Sequence, residues 1–234
     1  MRKADYDQQV MDVLLLHCQP HSPPRLLAGL LSCLAALAAA HPAQLLPFTQ
    51  SGLAAAAALA DTLKAGEVRA ALCGAVAGLC TGATAPSQEA DTLYTVIFPG
   101  WAGQARDPPT RAANLHAVAA LTPFLSDGLV RERAAAHIPA LIALYKKSGT
   151  SAQVDPSNLY FTETAVVQVS VCLTTLLSRL NRADSLLPTG SLEQLLPALA
   201  AQSSALPGSQ QQLQALACYS TLLPFAPEQV GQRF

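Results

Sequence analysis

The sequence has few charged and few aromatic residues. Charged side chains make up 12% of its 234 residues and aromatic ones 5%, with a single Trp. This is about half the charge of an average soluble domain. The 14 basic and 15 acidic residues leave a net charge of −1, and they form no long basic run. Because nucleic-acid surfaces carry clustered Lys and Arg, the composition argues against a nucleic-acid partner.

The common catalytic motifs are also absent from the sequence. It contains no Gly-x-Ser-x-Gly, no Gly-x-x-x-x-Gly-Lys-Ser/Thr, no His-Glu-x-x-His and no Gly-x-Gly-x-x-Gly. His17 and His21 have the spacing of two ligands on one helix face, but Pro20 lies between them and interrupts the helix. Asp184 and Glu163 fit residues near helix starts. We therefore expect a protein that is not an enzyme and that binds neither a metal nor another cofactor.

No Cys-x-x-Cys motif occurs among the six cysteines, which lie among Leu, Ala and Val at positions 18, 33, 73, 80, 172 and 218. Free thiols in such surroundings act as small core residues. Cys73 and Cys80 would lie about 10 Å apart along one helix, too far for a disulfide. The cysteine pattern predicts a reducing, cytoplasmic location.

Long hydrophobic runs are missing as well. Leu26–Ala40 is without charge, but it is shorter than the ~20 residues that a spanning helix needs. The residues before it include Asp5, Asp7 and Asp12, which is the wrong flank for a secretory signal. We therefore expect no transmembrane span, and a membrane-associated helical protein is kept only as an alternative.

Alanine and leucine dominate the sequence. Hydrophobic residues make up 51% of it, and Ala and Leu are the strongest apolar helix formers. The best strand candidate, Leu93–Phe98, fits a helix end equally well. The pattern predicts an all-α fold, with a bend or break at Pro47 or Gly52 in the third helix. The predicted helices span residues 3–17, 24–40, 42–64, 67–80, 88–98, 110–125, 128–147, 159–181, 191–203 and 209–223.

Two short patterns recur along these helices. Arg69, Arg111 and Arg131 each follow a break containing Gly, Pro or Asp, and small residues come after them. Arg69 and Arg111 are 42 residues apart, and helical repeats have periods of about 40–47 residues. The second pattern is a Leu-x-Pro-Phe motif, which occurs as Leu45-Leu46-Pro47-Phe48, Leu121-Thr122-Pro123-Phe124 and Leu222-Leu223-Pro224-Phe225. Both patterns indicate an internal repeat.

Around these arginines the chain resembles HEAT/armadillo-type helical repeats. The second helix of such a repeat commonly starts with an acidic residue, a gap, Val-Arg and small residues ending in Leu. Glu67–Leu72 and Asp127–Ala135 fit this pattern, and Asp107–Leu115 has Thr110 where Val is usual. The similarity covers residues 22–225. In its general sequence character the chain also resembles long intracellular solenoid proteins such as focadhesin. The resemblance implies a right-handed α-solenoid of about five antiparallel helix pairs.

The resemblance implies a binding protein. We expect residues 1–234 to form one helical-repeat domain or a segment of a longer solenoid, with an irregular tail at 226–234. We expect an intracellular scaffold for protein–protein interaction, either as a monomer or as a subunit of a larger complex. The alternative is an obligate helical subunit that buries its excess apolar face on a fixed partner. Phe225–Phe234 offers no obvious polar cap, which suggests continuation or docking at that end.

Aromatic residues near the loops are the candidate partner-binding residues. Trp101 lies in the long loop 99–110, and Tyr160 and Phe161 follow the turn signal Asp155–Asn158. Aromatic residues are enriched in interface hot spots. Each also has a structural interpretation, in which Trp101 fills a gap between helices and the aromatic pair staples a helix start to its neighbour.

Overall fold

A computed structural model of the chain describes residues 3–60, 63, 66–81, 85–98, 108–151, 159–182, 186–203 and 209–226. Over these ranges the regular structure is entirely helical. The helices are α1 (Lys3–His17), α2 (Pro24–Ala40), α3 (Pro42–Leu45), α4 (Thr49–Ala60), α5 (Gly66–Cys80), α6 (Gln88–Ile97), α7 (Pro108–Leu121), α8 (Asp127–Ser151), α9 (Leu159–Arg182), α10 (Ser191–Ser203) and α11 (Gln210–Leu222). The predicted all-α fold is thus confirmed.

Local sequence signals explain several helix boundaries. Pro24 occupies the first position of α2, where its missing N–H has no intrahelical partner to lose. Ser87 and Ser209 precede α6 and α11, and their hydroxyls accept backbone N–H groups at 3.1 and 3.2 Å. The break predicted in the third helix falls at Pro47, inside a 3-10 turn between α3 and α4. Gly52, the other candidate for this break, is buried within α4.

The three Leu-x-Pro-Phe motifs fold alike. In the first two, the last three residues form a 3-10 turn after a helix, and in the third they form a turn after α11. The prolines of all three are exposed. The leading leucines are buried, and they are Leu45, Leu121 and Leu222. Each motif therefore anchors a helix end in the core by its first residue.

The chain divides into two compact units. Unit 1 comprises Met1–Ala105 and His116–Leu125, and unit 2 comprises Arg106–Leu115 and Ser126–Phe234. In unit 1, α2 packs against α5, and α4 packs against α5 and α6. A Cβ added to Gly78 of α5 would lie 2.5 Å from the Cβ of Ala38 in α2. The backbones of these two helices therefore approach closely, and small residues form their contact.

In unit 2, α9 packs against α8 and α11, and α10 packs against α8 and α11. The thiol of Cys172 in α9 donates to the carbonyl oxygen of Leu115 in α7 at 2.9 Å. Helices α8, α9, α10 and α11 therefore pack against one another as one group. Arg179 of α9 also forms an ion pair with Asp127 at the start of α8, at 2.7 Å.

Over the described ranges, no single helix is both long and apolar enough to cross a bilayer. The segments Pro24–Ala40 and Pro42–Ala60 meet the criteria of length and composition only when taken together, and they are bent by 118°.

Candidate partner-binding surface

The buried cysteines have the properties of core residues. Burial raises the pKa of the Cys73, Cys80 and Cys218 thiols to about 12, although Arg69 acts in the opposite direction on Cys73. Because the thiolate is the reactive form, these three thiols are poor nucleophiles near neutral pH. Cys33 is the exposed cysteine of the six.

The histidines are dispersed along the chain. His17 ends α1 and is exposed, and His21 lies in the turn that follows. His137 is buried in α8, where desolvation and then the charge of Arg133 lower its pKa to about 4. Desolvation also lowers the pKa of His116. Within the described ranges, no group of three or more His, Cys, Asp or Glu side chains is placed to hold a metal ion.

The recurrent arginines lie near helix starts, in the first turns of α5, α7 and α8. The Nε of Arg69 donates to the carbonyl oxygen of Leu63 at 2.9 Å, which ties the start of α5 to the preceding segment. Arg111 is half-buried and Arg131 is exposed. Their recurrence therefore reflects similar positions near helix starts.

Large apolar side chains are exposed in several described segments. Contact between water and a contiguous patch of apolar side chains is unfavourable, so exposed clusters of such side chains indicate interaction surfaces. They are Val13, Leu16, Leu26, Leu46, Leu186, Leu213, Leu216 and Leu223.

Three of these leucines form a row along α11 and its C-cap residue, Leu223. Leu213, Leu216 and Leu223 are 48%, 38% and 44% exposed. Their spacings of three and seven residues place them on one helix face, and we call this row the α11 stripe. The other face of α11 is buried in unit 2, where the hydroxyl of Tyr219 donates to the carbonyl oxygen of Leu196 at 3.2 Å. α11 thus presents apolar side chains on two faces, and within the described part of the chain only the face that packs in unit 2 is buried.

The predicted partner-binding residues remain untested. Trp101 lies outside the described residues. Tyr160 and Phe161 belong to the first turn of α9, as the helix-start signal predicted, but their side chains fall outside the described part of the chain. The α11 stripe contains no aromatic residue, and in the sequence its leucines look like ordinary core residues. The sequence signal was the presence of apolar residues on more than one face of the helix predicted for 209–223.

No protein-family model and no curated protein matches the chain. Among solved structures, it is similar to an engineered protein from the Northeast Structural Genomics Consortium, with a TM-score of 0.58 and 12% identity over 96% of this chain and 88% of that chain. It is also similar to a designed armadillo repeat protein, with a TM-score of 0.50 and 15% identity over 92% of this chain and 98% of that one. At such identities the likeness concerns the fold. The predicted armadillo/HEAT-like helical-repeat fold is confirmed.

Proposed function

We propose that this armadillo-like chain is a non-catalytic scaffold that binds other proteins inside the cell. The observation that carries the proposal is the helical-repeat fold, because stacked helices present extended surfaces suited to macromolecular partners. The exposed leucines of α11 support it, because the free energy falls when a partner covers clustered apolar surface. The raised pKa values of the buried Cys73, Cys80 and Cys218 thiols argue against these three residues as nucleophiles.

The same proposal includes the domain organisation, the class of partner and the binding residues that the sequence predicts. The whole chain acts as one helical-repeat domain with an irregular tail at 226–234, and its partners are proteins rather than nucleic acids. Trp101, Tyr160 and Phe161 contribute to partner binding. Aromatic side chains can supply large contact areas and are over-represented among interface hot spots.

A second candidate function is that of an obligate subunit in a larger assembly. The exposed apolar residues of α1, α2 and α11 favour it. The two functions differ in the behaviour of the purified chain. A scaffold stays monomeric and dispersed on its own, whereas an obligate subunit aggregates unless its fixed partner is co-expressed.

Affinity capture from cell lysate with mass spectrometry tests the scaffold function. The wild-type chain is compared with a Trp101→Ala, Tyr160→Ala, Phe161→Ala variant and with Leu186→Ala as the control. Leu186 is 92% exposed, so the control also removes a large side chain without opening the core. Circular dichroism first verifies that all three chains have equal helicity.

We expect a partner that is captured by the wild type and by Leu186→Ala and is lost with the aromatic variant. Retention of the same partner by the aromatic variant would remove the aromatic site but leave the scaffold function. Failure of the wild-type chain to capture any partner would contradict the scaffold function.

A further inference from the structure

The sequence contains two positions at which a hydroxyl residue precedes proline, Ser22-Pro23 and Thr122-Pro123. Thr122 is 1% exposed, and its hydroxyl donates to a backbone carbonyl oxygen of α7 at 2.7 Å. Ser22 lies in the turn between α1 and α2, where it is half-buried and its neighbours His21 and Pro23 are exposed. An enzyme that acts on the folded chain can therefore reach the serine, whereas the threonine is enclosed.

The backbone around Ser22 is arranged as an extended turn. The Ser22 hydroxyl donates to the carbonyl oxygen of His17, at the end of α1, at 2.7 Å. Pro23 follows with φ −53° and ψ 134°, which is extended backbone of the polyproline II type. Protein kinases bind the residues next to a phosphoacceptor in an extended conformation. The backbone directly after Ser22 already has that conformation.

The start of α2 adds a positive charge close to this turn. Arg25 is exposed and occupies the second position of α2. The helix begins without a side-chain cap, and its first backbone bond runs from the N–H of Leu27 to the carbonyl oxygen of Pro23 at 2.9 Å. Helix ends open at a low cost in free energy. Extending the chain from Ser22 to Arg25 therefore breaks only the first backbone bonds of α2.

The order Ser22-Pro23-Pro24-Arg25 places a proline one position, and a cation three positions, after the hydroxyl. Proline at the first of these positions has no N–H that would lose its partner in an enzyme cleft. The guanidinium at the second can form a charge-assisted contact with an anionic group of the enzyme. We propose that Ser22 is a phosphoacceptor for a proline-directed protein kinase that favours a basic residue three positions after the serine.

The transfer uses Mg-ATP as the phosphoryl donor. The Ser22 Oγ attacks the γ-phosphorus, so an O–P bond forms while the bond from that phosphorus to the bridging β–γ oxygen breaks. ADP leaves with the bonding electron pair, and the hydroxyl proton passes to the catalytic aspartate of the kinase. The phosphoserine carries about −1.5 to −2 charges near neutral pH and lacks the hydroxyl proton that the carbonyl oxygen of His17 accepts. Phosphorylation therefore breaks this bond between the turn and the end of α1.

The test incubates the purified full-length chain with Mg-ATP and a cyclin-dependent kinase, a proline-directed kinase with this sequence preference. Initial rates of phosphate incorporation are measured, and mass spectrometry locates the phosphate. The variants are Ser22→Ala and Arg25→Ala. The matched control is Ser32→Ala, because Ser32 is an exposed serine of α2 whose hydroxyl also donates to a backbone carbonyl, at 2.8 Å, but which precedes Cys33 instead of proline. A synthetic peptide of residues 16–30 gives the rate without the fold.

We expect phosphate on Ser22 of the wild type and of the Ser32→Ala control, and no incorporation in this turn for Ser22→Ala. Arg25→Ala should lower kcat/KM at least about tenfold, because the charge-assisted contact is lost. We expect kcat/KM of the folded chain to lie within about tenfold of the peptide's, since the start of α2 opens readily. Circular dichroism verifies that the variants have equal helicity.

Three outcomes overturn the proposal. The first is absence of phosphate on Ser22 of the folded chain, whether or not the peptide reacts. The second is incorporation that Ser22→Ala leaves unchanged, and the third is an equal kcat/KM for Arg25→Ala and the wild type. The assay uses purified components and no cellular partner, so its result is independent of the scaffold function.

Discussion

The contact between α2 and α5 in unit 1 differs from the contact among α8, α9 and α11 in unit 2 in the size of the side chains that fill it. In unit 1, Gly78 lies so close to Ala38 that one added methyl group would overlap. In unit 2, Tyr145 and Tyr219 are almost fully buried. The contact between α2 and α5 is therefore sensitive to added volume, whereas the contact among α8, α9 and α11 is sensitive to volume removed. The buried His137 of α8 also makes unit 2 sensitive to pH.

Tyr145→Ala tests the large-residue contact and has the largest expected effect. The side chain is 1% exposed, and its removal leaves a cavity. We expect a loss of about 3–5 kcal/mol in the free energy of unfolding, measured by urea denaturation with far-UV circular dichroism. Tyr145→Phe is the matched control, because it keeps the ring and removes only the hydroxyl. Equal losses for the two variants would show that the hydroxyl, rather than the volume, stabilises this contact.

Gly78→Ala tests the small-residue contact. The new Cβ would lie 2.5 Å from the Cβ of Ala38, so α2 and α5 must separate. We expect a loss of about 1–3 kcal/mol from overpacking, although alanine favours helix by about 1 kcal/mol over glycine. Gly74→Ala is the control, because its Cβ would lie an ordinary 3.6 Å from that of Ala35. We expect the control to be neutral or stabilising in the same urea experiment. A destabilising control beside a neutral Gly78→Ala would contradict the close approach of the two helices.

The pH dependence of stability tests the buried histidine of unit 2 and has the smallest expected effect. The folded state holds the pKa of His137 at about 4, below its ordinary value, so the neutral ring is favoured in the folded protein. The contribution of His137 to the free energy of unfolding is therefore fully present above about pH 6.5 and is lost as the pH falls towards 4. We expect His137→Gln to remove about 1–2 kcal/mol of the pH dependence between pH 7 and pH 5. Melting curves of both proteins over this range measure it, and parallel pH profiles would show that His137 is not the group responsible.

Much of the fold was accessible from the sequence because local signals set the helix boundaries. The predicted bounds of α2 and α10 agree with the structure, and the break predicted in the third helix falls at Pro47. A proline does not always end a helix, however. Pro139 and Pro197 lie inside α8 and α10, on exposed positions where the carbonyl left without its N–H partner can face water. Neighbouring elements decide whether such a position is solvated.

The candidate binding surface was less accessible. Leu213 and Leu216 have the same residue type and spacing as core leucines such as Leu173 and Leu176, which are buried in α9. Local sequence reports that a helix face is apolar, but it does not report whether another helix covers that face. Residue type alone identifies the aromatic residues near the loops as candidates. The α11 stripe, by contrast, is identified only by the exposure of its leucines.

By itself, the sequence determined the helical content, most helix boundaries and the presence of a repeat, because backbone propensities, capping and proline act over a few residues. Only the tertiary structure decided which faces meet. The contact of Gly78 with Ala38, the bond between Cys172 and the carbonyl oxygen of Leu115, and the open face of α11 all depend on helices that are distant in sequence. The physical reason is that burial depends on what surrounds a side chain as well as on its chemistry.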